Sequence, residues 1–159
     1  MNVYHGSTIE IQHPKISYAQ KNLDFGKGFY LTPAQRPAEN WALSKSQHLE
    51  TLPVVNIYNL DIKLNNFRKK EFSKYTLEWA EFVYDCIQGG KEYKQYDIIF
   101  GGAISNKIYT IIDKYYRGVW KTDRMLDELH LYNYNEQICL LSQKLINKNL
   151  KFIESYEVR

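Results

Sequence analysis

The chain has 159 residues, of which 44% are hydrophobic and 25% charged, with a net charge of +3. That length suits one globular domain with its own core, and no apolar run approaches the roughly 20 residues of a membrane-spanning helix. Two cysteines, Cys86 and Cys139, are too few for a disulfide framework or a zinc cluster and are expected to be reduced core residues.

The N-terminus, Met1-Asn2-Val3-Tyr4-His5, lacks the basic and then apolar regions of a secretory signal, so the expected compartment is the cytoplasm. Met1 to Tyr4 begins a strand, and Gly28-Phe29-Tyr30-Leu31-Thr32 is a second. Thr32 then suits a helix cap, with Pro33 opening the helix and Gln35 in the capping-box position; Ala38, Trp41 and Ala42 supply its apolar stripe. Val54 to Leu60 alternates apolar and polar residues as a half-buried strand does.

The most basic stretch, Arg68-Lys69-Lys70 with Lys74, is interrupted by Glu71 and followed by Glu78 and Glu81, so it reads as a solvated face rather than a nucleic-acid stripe. Leu77 to Ile87 patterns as a helix ended by Gly89-Gly90, with Trp79 toward solvent or a cleft. A strand over Tyr96 to Phe100 stops at Gly101-Gly102, and helices follow from Ser105 to Tyr116 and from a Thr122 cap to Leu129. A strand over Gln137 to Leu141, a short helix over Gln143 to Lys148 and a strand over Leu150 to Val158 complete the chain. Six short strands among helices make an α+β domain.

Three stretches join chemically capable side chains to a strand or a glycine turn: Tyr4-His5-Gly6-Ser7, the run from Asp24 through Phe25, Gly26, Gly28, Phe29 and Tyr30 to Thr32, and Tyr134-Asn135-Glu136-Gln137-Ile138. Each residue has an ordinary explanation alone. His5 fits a satisfied surface or core group, Gly26 and Gly28 hairpin glycines, Tyr30 a core aromatic and Glu136 a solvated strand-edge charge. Brought into one cleft, the imidazole, phenol and carboxylate would hold a nucleotide and stabilise a cationic sugar.

In their order, these stretches, with Ala38 and Trp41, Val55 to Tyr58, Tyr96 to Gly101 and Leu150 to Phe152, resemble the small bacterial proteins of the DUF3990 family, a branch of the ADP-ribosyltransferase fold. The run from Tyr134 to Cys139 also looks like the last motif of poly(ADP-ribose) polymerases. The resemblance implies split antiparallel sheets with flanking helices around an NAD cleft, and a catalytic set at His5, Tyr30 and either Glu136 or Gln137. Strand alternation lets only one of the last two face the cleft, and a carboxylate at Glu136 better stabilises an oxocarbenium-like state.

On the same resemblance, His5 would bond the adenosine-side ribose, the Gly6 backbone would grip the carboxamide, and Tyr30, with Tyr58 or Tyr18, would stack on nicotinamide. Tyr4, Ser7, Phe25 and Phe29 would line the same cleft, while Gly26 and Gly28 would supply positive backbone angles over the ligand. Ser105 and Asn106 stand where relatives carry two acids, which bears on the choice of acceptor. The implied activity is mono-ADP-ribosyl transfer from NAD as co-substrate to a protein or nucleic-acid acceptor, with no metal. A toxin or antiphage role with a small antitoxin or inhibitor partner is implied likewise. Three other readings stay open: NAD hydrolysis, a catalytically idle nucleotide- or partner-binding module, and nucleic-acid binding through the Arg68 to Lys74 region, which predicts salt-dependent affinity.

Overall fold

The computed structural model describes residues 1–159. Val54–Leu60 forms β3 as its alternation predicts, and β1 (Asn2–Ser7) and β7 (Leu150–Glu157) flank it, both antiparallel, in a three-stranded sheet ordered β1-β3-β7. A second sheet contains β2 (Phe29–Leu31), β4 (Lys69–Glu71), β5 (Ile98–Gly102) and β6 (Glu136–Leu140), in the order β2-β6-β5-β4. Only β4 against β5 is parallel. The sheets meet where Tyr4 and Thr32 exchange two main-chain hydrogen bonds of 2.9 Å each.

Burial separates the layers. Val3, Tyr58 and Leu60 from the first sheet share one buried cluster with Leu31, Ile98, Ile138 and Leu140 from the second. The helix α5 (Gln143–Asn149) closes it with Leu145 and Ile146. On the outer face of the first sheet, α1 (Gln35–Leu49) lays Ala38 and Ala42 against Val55 and Tyr4. On the far face of the second sheet, α2 (Leu77–Ile87), α3 (Asn106–Tyr116) and α4 (Thr122–Leu129) cover Ile99 and Cys139 with Trp79, Val83, Ile112 and Met125. The layers are therefore helix, sheet, sheet, helices. Both cysteines are free and buried, as expected, and no helix is long and apolar enough to cross a membrane.

Several expectations need correction. The structure has seven strands, because the charged run at Lys69–Glu71 pairs with β5 as an edge strand. Such charged edges discourage pairing with other chains. Helix α1 starts at Gln35 with Ala34 as its cap, because Thr32 is held in the bridge to Tyr4 and its hydroxyl bonds the main chain of Ala34. Trp41 is 57% exposed, outside the apolar stripe. Trp79 is 0% exposed and donates its indole N–H to Gly102 O at 3.1 Å, so it belongs to the core and not to solvent or a cleft. The strand expected to stop at Gly101-Gly102 runs through both, and Thr122 is the first residue of α4 while Lys121 caps it. Ser105 caps α3 as expected, its hydroxyl accepting from Ile108 N.

Candidate functional site

His5 lies on β1 with Val3, on the face turned toward the second sheet. Its ring stacks on Phe29 of β2, with centroids 4.4 Å apart, and Phe29 meets the edge of Tyr58. Nδ1 lies 2.6 Å from the carbonyl oxygen of Tyr30. A carbonyl only accepts, so Nδ1 carries the proton and Nε2 keeps a lone pair with no partner in the protein. Burial, aided by the nearby Lys45 ammonium, pushes the imidazole down to about 4, which keeps it neutral at pH 7.

Gly6 follows on the same strand. Tyr4 turns its main-chain N–H and C=O to Thr32, so alternation turns those of Gly6 to the same edge, beyond the end of the bridge and away from β3. A methyl group on Gly6 would fall on the main chain of Ala38 and Ala42, so the close approach of α1 demands glycine here. Ser7, buried, ends the strand opposite Val54. Tyr4 packs on α1 with Ala38 and Ala42.

The glycine loop is held from beneath. The phenol of Tyr30 donates to Gly26 O at 2.6 Å and accepts from Phe25 N at 2.9 Å. Its ring joins the core under the second sheet, and burial pushes the phenol well above its ordinary range. Tyr30 therefore reaches His5 through its carbonyl, while its ring faces the opposite side of the sheet. Gly26 has the expected positive angle, φ 83°, and Gly28 does not. Gly28 is needed because a side chain would strike Cys139 Sγ and Leu140 O. Phe25 is wholly buried against Phe72 and Phe82, a core residue rather than a ligand contact.

Tyr58 is also 0% exposed and donates its hydroxyl to Ile11 O at 2.6 Å. Stacking on a ligand is closed to it, and the hydroxyl instead pins the segment after β1. Asn56, likewise buried, clamps the same segment through Ile9 O and Ile11 N. Tyr18 stands exposed on a 3-10 turn over Ile16–Tyr18.

Glu136 and Gln137 open β6 side by side and diverge. Gln137 donates its amide to Asp24 Oδ2 at 2.9 Å, on the same face as Cys139 and Tyr30. Asp24 also accepts from Ile104 N at 3.0 Å, and burial raises its carboxyl above the ordinary range despite both bonds. Glu136 is exposed, pairs with Gly102 across the sheet, and shares the face of Ile138 and Leu140 that looks toward the first sheet. Its carboxylate has no hydrogen-bond partner in the protein. The structure thus puts His5, Phe29 and Glu136 on one face of the joined sheets and Tyr30, Gln137 and Asp24 on the other.

Sequence reasoning left Asp24 without a role. The available signal was a carboxylate directly ahead of Phe25-Gly26-Lys27-Gly28, where a loop needs an anchor. Lys45 was also unassigned, because its approach to His5 depends on how α1 crosses β1. No group of three or more metal-ligating side chains is present.

No curated protein matches the chain. A model of one family, described as protein of unknown function (DUF3990), matches residues 1–152. The chain belongs to the DUF3990 family.

Proposed function

We propose that this protein is a mono-ADP-ribosyltransferase of the ADP-ribosyltransferase fold, cleaving NAD between His5-Gly6 and Glu136. The supporting observation is that a neutral His5, fixed by Tyr30 O so that Nε2 is free to accept, and the unpartnered carboxylate of Glu136 stand on the faces by which the two sheets look toward each other. His5 Nε2 accepts a ribose hydroxyl. The unpaired N–H and C=O of Gly6 are complementary to a carboxamide, which offers one acceptor and one donor.

Breaking the bond between nicotinamide and ribose sends the electron pair to the departing ring nitrogen and leaves positive charge on the sugar. Glu136 stabilises that charge more in the transition state than in bound NAD. The acceptor nucleophile then bonds to the anomeric carbon and gives up its proton to Glu136 or to water. In this arrangement Gln137 is a positioning residue that acts through Asp24, and Tyr30 holds the glycine loop rather than stacking on the nicotinamide. Trp41, exposed on α1 with Lys45 Nζ 5.9 Å from its ring centroid, supplies an accessible flat surface that the buried tyrosines do not.

Exposure of Glu136 also favours a second reading, NAD hydrolysis, because water reaches the carboxylate. Incubation with NAD labelled in its adenylate half separates the two. Label on a protein or nucleic acid supports transfer, free ADP-ribose alone supports hydrolysis, and intact NAD contradicts both. The expected acceptor is a protein or nucleic acid, and the proposed setting is a toxin or antiphage effector held in check by a small inhibitory protein.

A further inference from the structure

A cavity of about 670 Å³ is lined by neither His5 nor Glu136. Leu141 and Ser142 line it, where the chain leaves β6, whereas Glu136 begins that strand. Five residues of extended chain separate these ends by roughly 16 Å. None of His5, Gly6, Tyr30 or Glu136 borders it.

Its electrostatics are one-sided. Asp97 is the only acidic side chain lining it, and Arg68 neutralises that carboxylate at 3.1 Å while holding it below the ordinary range. The remaining charged groups are Lys21, Lys27, Lys91 and Lys94, and none of them makes an ion pair or a side-chain hydrogen bond. Four unpaired ammonium groups around one hollow repel one another and draw in an anion carrying several charges. Two half-buried aromatic rings, Tyr93 and Tyr96, line the same wall. Tyr93 is fixed, since its ring packs so closely on Gly26 that a methyl group there would overlap it.

Multiple cations beside flat rings match a nucleotide, with phosphates for the lysines and a base for the tyrosines. The volume falls within the range of small-ligand sites, roughly 300–1,000 Å³. We propose that this cavity is a second, independent binding site for nucleotide phosphates, supplied either as a free nucleoside polyphosphate or as a segment of single-stranded nucleic acid. The proposal does not rest on the transferase reading, because it uses none of the residues of that site.

The test is fluorescence anisotropy with a labelled oligothymidylate across a salt series, and calorimetry with ATP. Wild type is expected to bind at least one probe, with affinity that falls as salt rises. The double variant Lys91→Gln/Lys94→Gln should weaken binding on the order of tenfold and, for the oligonucleotide, lower the salt slope by roughly 1.4. Lys21→Gln/Lys27→Gln should act alike, and circular dichroism checks that each variant is folded. Binding of the oligonucleotide alone assigns the site to a strand; binding of ATP, competed by pyrophosphate, assigns it to a free nucleotide. His5→Ala should leave the binding of either probe unchanged. Failure of wild type to bind either probe at low salt overturns the proposal. So does full binding by both lysine variants, or a loss confined to His5→Ala.

Discussion

The imidazole of His5 is half-buried, and its one main-chain bond fixes the tautomer. The unfolded chain takes up a proton near the ordinary histidine pKa of 6.5, whereas the folded chain resists protonation until about 4. A depressed folded pKa contributes stability above 6.5 that is lost as the pH falls through about 4. The loss is at most about 3 kcal/mol, and less for a ring that keeps some contact with water. Urea unfolding should therefore show a drop in stability between neutral and mildly acid pH that shrinks in His5→Gln. An unchanged pH profile in that variant would contradict the assigned environment. Asp24 works in the opposite sense: its carboxyl is raised, so its contribution is largest below 3.8 and declines as pH rises through the folded value. Asp24→Asn keeps an acceptor for Ile104 N and should preserve the fold while removing that opposing pH dependence.

Elements made of long periodic runs were readable from the sequence, because their burial follows local pattern. The bounds of β3 match the alternation of Val54 to Leu60, and α3 starts one residue after its Ser105 cap. Ser105→Ala should cost about 1 kcal/mol in a denaturation midpoint. What depended on tertiary packing was hidden. Lys69–Glu71 looks like a solvated charged run until β5 offers it hydrogen bonds, and Trp79 finds its only indole acceptor in Gly102, far along the chain. The same limit applies at the site. Alternation correctly required Glu136 and Gln137 to part, but only the placement of Asp24 shows which of them is tied down. Tyr58 and Phe25 read as ligand contacts because the core that encloses them comes from distant elements. Gly6 is the most constrained point of this arrangement. Gly6→Ala pushes a methyl into the main chain of α1 and should destabilise by about 1–3 kcal/mol or more, measured by chemical denaturation.

Across the whole molecule, one buried cluster draws side chains from both sheets, so neither sheet has a complete interior without the other. Ile138→Ala, at the centre of that cluster, should cost about 2–5 kcal/mol. Single-tryptophan variants retaining Trp41, on α1, or Trp79, on α2, report from opposite outer layers and should unfold in coincident transitions. Separate midpoints would show that the two sheets fold as independent units. The proposed site takes His5 from one sheet and Glu136 from the other, so it depends on that same convergence. Release of nicotinamide from NAD, compared between wild type, Glu136→Gln and Gln137→Ala, tests that convergence most directly. Wild type should release nicotinamide, Glu136→Gln should lose activity on the order of 100- to 1,000-fold while remaining folded, and Gln137→Ala should lose less. No release by wild type, or equal rates in wild type and Glu136→Gln, would contradict the account.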